Sequence, residues 1–368
     1  MNVNVIRSVA DLDILRSEWD TLATLDRRNG LFRSAAWVVP WFRFVQSDAQ
    51  PLIITVRDPA GKLVGLAPFC RRRFADLGFR MSAIGFAGRE VVSGDYLGIV
   101  AAEEFKAEVY ALVLEVLWQS RELWQALIAG EVICGSDLDE ALNTWGRRHK
   151  LALRCQEHRK CPYICLPGTF EEYLAGLSGG FRKKLRYETR AVLERGGGSI
   201  KMYSCPKHIG AALDILSSLH LKRWHQANQP GTMGRPGFIS FLKEVSSNPP
   251  IGAGACVYML EHNATAVAGL LAFHCGESCF YYQTGWDTTS PFSRFSQGDI
   301  LLAHAIEDAI SKGLRYFDFL RGDETYKDRW TDLYRATSTM IFARTAIARG
   351  YIATARAKDA VKKLIRKA

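Results

Sequence analysis

The sequence predicts a mixed α/β protein with two similar halves, and two observations carry that expectation. Strand-like apolar runs alternate with helix-like periodic segments along most of the 368 residues. In addition, PLIITVRDPAGKLVGLAPF (51–69) and ACVYMLEHNATAVAGLLAF (255–273) share one pattern. Each is an apolar run, a polar turn and a second run ending G-L-x-x-F, which reads as a β-hairpin. Gly65, Leu66 and Phe69 align with Gly269, Leu270 and Phe273. The length suits two domains.

Taken in order, the spacing predicts a helix over 11–25. An aromatic-rich helix over 32–44 follows, interrupted or started by Pro40. Strands are expected at 51–58, 62–70, 80–87 and 95–100, then a helix over 103–119. A strand at 122–129, a helix at 136–147 and a strand at 151–155 close the first half. The second half opens with a helix at 170–176 and a basic helix at 181–195, stopped by Gly196, Gly197 and Gly198. A strand at 199–204 and helices at 207–225 and 236–246 lead to the hairpin 254–274. A strand at 278–285, a helix at 298–312 and a strand at 315–320 come next. An irregular stretch (321–334) precedes a final strand at 336–343.

Hydrophobic content of 48% and charged content of 23% exclude a disordered, collagen-like or coiled-coil chain. No apolar run reaches the length of a membrane span. Asp11 and Asp13 interrupt any secretory apolar segment, so a cytoplasmic protein is expected. The formal net charge is +10. Much of it lies in 344–368, where Arg344, Arg349, Arg356, Lys358, Lys362, Lys363, Arg366 and Lys367 face one acid, Asp359. The body is therefore nearly neutral, which argues against a general nucleic-acid binder. The 9 cysteines form neither CxxC pairs nor zinc-finger spacings with histidine, so reduced thiols and no metal are expected.

Three constellations point to chemistry. From Asp287 to Asp299 a strand enters a Ser/Gly loop and then an apolar-periodic helix. Such a junction aims backbone N–H groups at an anion, and Arg294 adds a cation. The alternative is an ordinary capped turn. Next, Asp318, Arg321, Asp323, Glu324, Tyr326 and Lys327 crowd the end of strand YFDFL. Groups so placed shift one another's pKa and supply a base or an oxyanion stabiliser. The alternative is a structural ion-pair network. Third, FRKKLRYETR (181–190) carries a dense basic face, either solvated or set against a phosphate or anionic headgroup. Among the histidines, His274 and His304 flank the expected cleft.

The segments FRKKLRYETR, GLLAFHCGESCFYYQTGWD and SQGDILLAHAIEDAISKGLRYFDFLRGDETYKDRW resemble the CelD-like acyltransferases of the GNAT superfamily, relatives of the FemAB-type aminoacyl transferases. FRSAAWVVPWF and SGDYLGIV extend the resemblance to the first half. Bacterial ceramide synthases look like this group as well. The resemblance implies tandem GNAT-like domains, here 1–165 and 166–345, followed by a basic tail at 346–368. It implies an acyl-CoA donor with its pyrophosphate before a helix, which maps to Arg294, Ser296, Gln297, Gly298 and Asp299. It also implies an aromatic–lysine pair serving transfer, matched by Tyr326 and Lys327. Asp318, Glu324 or His274 is the expected base, and Lys327, Arg321 or a backbone N–H the oxyanion holder. Arg182, Arg186, Asp95, Tyr96, Tyr282 and Gln283 are assigned to the acceptor. The expected reaction N-acylates a primary amine on an envelope lipid, leaning to a sphingoid base. Alternatives are an amino sugar acceptor, aminoacyl-tRNA as donor, or a non-catalytic scaffold. The tail, with Ile347, Tyr351, Val361, Leu364 and Ile365 on one side, suits an anionic membrane surface.

Overall fold

The computed structural model describes residues 1–156, 159–322 and 324–365, with the side chains of 362–365 left aside. The chain begins β1 (Asn2–Ile6), α1 (Leu12–Ala23), α2 (Ala35–Pro40), β2 (Gln50–Arg57), β3 (Leu63–Asp76) and β4 (Phe79–Phe86). Next come β5 (Val100–Ala101), α3 (Lys106–Gln119), β6 (Ala126–Ile133), α4 (Asp137–Arg148), β7 (Ala152–Cys155) and β8 (Arg159–Cys165). Then follow α5 (Phe170–Gly176), α6 (Gly179–Thr189), β9 (Gly198–Tyr203), α7 (Pro206–Gln226), α8 (Phe238–Ser247) and β10 (Ala253–His262). The chain closes with β11 (Thr265–Cys275), β12 (Ser278–Trp286), α9 (Gln297–Ser311), β13 (Tyr316–Asp318), β14 (Tyr334–Ala343) and α10 (Ala346–Ile365).

Local chemistry explains many of the boundaries. Ser34 and Ser136 accept backbone N–H groups at the starts of α2 and α4, and Thr169 with Glu172 forms a reciprocal cap on α5. Pro206 opens α7, where its missing N–H costs nothing. Pro40 ends α2, which passes into a π turn over Trp41–Val45. The expected strand at 95–100 is instead loop up to β5, because Ser93 and Tyr96 hold left-handed φ angles of 51° and 54°. The edge strand β1 and the strand β8 were not expected from the sequence.

The chain divides into two units: 1–25, 32–159 and 336–368 form the first, 26–31 and 160–335 the second. In the first, the strand order is β1-β2-β3-β4-β6-β14, with β5 on β3 and β7 on β14. The first hairpin is β2–β3, in antiparallel register from Gln50↔Arg71 to Arg57↔Leu63. β14 belongs here and not with the range 166–345, because it pairs with β6 and β7. The segment expected as a tail is helix α10. Its Ala348, Tyr351, Ile352 and Ala355 are buried at helical spacing against Met81, Ile128 and Ile341. Arg344, Arg349 and Arg356 donate to the carbonyls of Trp124, Lys150 and Leu153, so these tail cations are engaged with the protein. Ile347 and Val361 are exposed, while Arg366 and Lys367 lie outside the described residues.

In the second unit the order is β8-β13-β12-β11-β10-β9. The second hairpin, β10–β11, lies in it as β2–β3 lies in the first. β12 and β13 run parallel, joined by α9; the other pairs are antiparallel. Its core joins Tyr258, Leu270, Phe317 and Phe319 of the sheet to Leu185 of α6 and Leu301 of α9. Residues 26–31 belong to this unit because Arg28 stacks on Tyr316 at 3.9 Å and the Arg27 carbonyl accepts the Glu277 N–H at 2.8 Å. Among the described residues no helix is long and apolar enough to cross a membrane, and no cluster of three metal-ligating side chains forms. All 9 cysteines are free thiols.

Candidate active site

The parallel ladder between β12 and β13 covers only Ser278↔Tyr316 to Phe280↔Asp318. Beyond it β12 stays paired with β11 as far as Trp286, while the chain after Asp318 turns away. The two strands therefore part at their carboxyl ends, the place where parallel α/β sheets open a crevice. A bulge helps: Leu271 pairs with Gln283 but Ala272 with Tyr281, so Tyr282 is the extra residue. Tyr282 is thereby turned to stack on Phe238. Gly285 lets α7 approach, since a Cβ there would lie 2.4 Å from the His220 nitrogen.

On one side of this opening the chain from Asp318 to Lys327 folds tightly on itself. Asp318 is fully buried; one carboxylate oxygen accepts the Leu320 N–H at 2.8 Å and the other pairs with Arg335. Arg335 also donates to the Asn29 side chain at 2.7 Å. Leu320 takes a left-handed φ of 56°, a conformation costing roughly 1–2 kcal/mol for an L-residue. Lys327 is 3% exposed. Its ammonium lies 3.3 Å from the Leu320 carbonyl, 3.2 Å from that of Arg321 and 3.0 Å from Glu324. Three acceptors match its three donors. Gly322 permits this closure, because a Cβ there would lie 2.0 Å from Glu324 and 2.7 Å from the Lys327 ammonium. Asp323 lies outside the described residues.

Tyr326 and Tyr281 hydrogen-bond each other, and burial pushes both phenols above their ordinary pKa. Beside them stands Arg223 of α7, whose guanidinium lies 3.6 Å from the Trp286 ring centre. Burial lowers its pKa, against the neighbouring Tyr281, Tyr326 and Glu324. Among the described residues it has no hydrogen-bond or ion-pair partner. The α9 start packs on the same Trp286, with a Cβ on Gly298 in ordinary contact at 3.4 Å.

At that helix start the charges are mixed. Glu188 accepts the Ser296 N–H at 3.1 Å, and Lys184 donates to the Ser296 hydroxyl at 3.0 Å. Asp299 is buried, which raises its pKa, and it faces Arg329 at 3.3 Å. Gln297 donates to the Asp287 carbonyl, and its buried amide oxygen has no hydrogen-bond partner among the described residues. Arg294 is exposed over the Phe295 ring. A pyrophosphate thus finds cations and helix N–H groups here, but also two carboxylates.

The opening therefore brings Tyr326 near the α9 start, while Lys327, Glu324 and the Arg321 carbonyl hold the turn beside it. Other expected residues lie elsewhere. His274 pairs across from Cys279 at the opposite end of β12, near Asp308 and Lys312, and burial drives its pKa down to about 4. Gln283 bonds Thr232. Arg182 donates to the Leu174 and Ala175 carbonyls, and Arg186 pairs with Glu171. Asp95 and Tyr96 are buried in the first unit. Sequence reasoning passed over Arg223, Trp286 and Tyr281. The only signal was that Arg223 sits in a helix and Tyr281 beside the chosen Tyr282; nothing local says that they meet.

A sequence profile for the acetyltransferase (GNAT) domain matches residues 179–328. The matched stretch lies in the second unit and runs from α6 to the Lys327 turn, so it includes the whole opening. The fold of the full chain is shared with FemX, at TM-score 0.62 and 12% identity, covering 92% of this chain and 97% of that one. It is shared also with the C-terminal domain of a putative lysylphosphatidylglycerol synthetase from Agrobacterium fabrum (0.57; 10% identity; 93% and 94% covered). L-PGS from Bacillus licheniformis gives 0.54 at 12% identity, with 95% and 96% covered. At such identities the likeness is one of fold. A comparison with curated protein sequences gave no match.

Proposed function

We propose that this protein is an N-acyltransferase that moves an acyl group from acyl-CoA to a primary amine in the opening between β12 and β13. The observation carrying this reading is the parting of those strands beside the α9 start, within a GNAT domain. The neutral amine nitrogen attacks the acyl carbonyl carbon, the C–N bond forms and the C–S bond breaks. The thiolate leaves and takes a proton from water. Glu324, exposed at the mouth, accepts the amine proton through water. Asp318 is spent on Leu320 and Arg335, so it serves as a positioning residue. Tyr281 and Arg223 donate to the oxyanion, and Tyr326 donates its own proton to the Tyr281 oxygen; the raised pKa values keep the phenols protonated. Lys327 holds the turn that presents Tyr326. The aromatic wall of Tyr281, Trp286 and Tyr326 suits an apolar acyl chain, and an envelope lipid amine such as a sphingoid base is the acceptor we favour.

The second reading, transfer from aminoacyl-tRNA, is favoured by Glu188, which already holds an N–H where a CoA pyrophosphate would lie. One of the proteins sharing this fold is named a putative lysylphosphatidylglycerol synthetase. Thiol release decides between them. Purified protein would be given acetyl- or palmitoyl-CoA with a sphingoid base or an amino sugar. Amine-dependent release with palmitoyl-CoA and the sphingoid base is expected. Release only with acetyl-CoA and the sugar moves the acceptor to saccharides. No release from any thioester, with transfer from aminoacyl-tRNA that weakens steeply with salt, selects the second reading.

A further inference from the structure

Helix α6 presents two faces. One sends Lys184 and Glu188 to the α9 start. The other borders a groove of about 650 Å³ lined by Arg182, Lys183, Arg186, Arg190 and Arg195. Glu194 is the one acid among the described lining residues. Two of these cations are fixed in place: Arg182 by the Leu174 and Ala175 carbonyls, and Arg186 by Glu171. Arg195 lies over the ring of Tyr187, which is 58% exposed on the groove wall. Lys183 and Arg190 are exposed and have no hydrogen-bond or ion-pair partner among the described residues.

Arg182, Arg186 and Arg190 follow one another at four-residue spacing, and like charges at that spacing destabilise a helix. A helix that keeps such a stripe does so against its own stability, which marks a site that an anion completes. Several guanidinium groups around one concavity match the many acceptor oxygens of a phosphate better than a single carboxylate. The volume is that of a small molecule or a headgroup. We infer that this groove binds a phosphate-bearing group of that size. The inference stands on the groove alone and holds whichever donor the transfer site uses.

The test compares the full chain with the double variant Lys183→Gln/Arg190→Gln. Neither side chain bonds any described residue, so the variant should unfold at the same temperature or slightly higher. Sodium pyrophosphate binding is followed by calorimetry. Vesicle binding is followed by sedimentation with phosphatidylglycerol in phosphatidylcholine, against phosphatidylcholine alone. Removing two cations should weaken binding about 30-fold. Binding of pyrophosphate that the variant loses identifies a soluble phosphate ligand. Binding to phosphatidylglycerol vesicles alone, also lost in the variant, identifies a lipid headgroup. Binding of neither probe by the wild type, or unchanged binding by the variant, overturns the inference.

Discussion

Arg223 is the residue on which the proposed chemistry is most exposed to test. Its guanidinium is half-buried on Trp286 and balanced by no partner among the described residues. Replacing it by glutamine should lower kcat roughly 100-fold, the effect of losing one oxyanion donor, while leaving thermal stability equal or higher. Unchanged turnover in steady-state kinetics would remove Arg223 from the transfer step. Asp318 should behave in the opposite way. Asp318→Ala strands Arg335, and breaking a buried pair costs about 3–5 kcal/mol, read as a lower midpoint in denaturant. A variant of native stability but lost activity would instead make Asp318 a direct participant. At Gly322, alanine should displace Glu324 from Lys327. Because Gly322 holds a φ of 148°, a side chain there is strained even after Glu324 swings into solvent, so stability should fall by about 1–3 kcal/mol in denaturant titration along with turnover.

Among the elements, the packing of α7 on β12 decides where Arg223 arrives. Gly285 sits against the His220 backbone, with no flexible atom to yield. Gly285→Ala should cost about 1–3 kcal/mol and push α7 away, reducing activity even at temperatures where the protein stays folded. Full activity with a native midpoint would show that α7 adjusts freely. The same junction explains His220, which bonds the Thr284 carbonyl at 3.0 Å and whose pKa burial lowers. The bulge at Tyr282 and the short β13 act at this scale too. Together they end the parallel ladder early and leave the opening.

The molecule as a whole inherits a pH dependence from its buried histidines. His274 has a pKa of about 4 in the fold against 6.5 when exposed. The unfolded chain therefore binds a proton between those values and the folded one does not. The stability from a neutral His274 is complete above pH 6.5 and is lost as pH falls towards 4, at up to about 1.4 kcal/mol per pH unit. Unfolding midpoints measured across that window should fall less steeply for His274→Gln. Equal slopes for the two proteins would show that His274 is not held neutral.

Much of this architecture is legible from residue order alone. The 3.6-residue and two-residue periods, the capping residues and the Gly and Pro positions are local signals. They place nearly every helix and strand, both hairpins, the loop before α9 and the charged turn at 318–330. The strand expected at 95–100 failed because only the packed chain holds Ser93 and Tyr96 at left-handed angles. What each charged group does was decided by tertiary structure. Asp318 meets Arg335, Arg335 meets Asn29 from far upstream, and Arg223 reaches the opening from another helix. The range of the force involved explains the division. Hydrophobic period and turn chemistry act between neighbours in the chain, whereas a buried charge finds its partner only after remote segments have folded together.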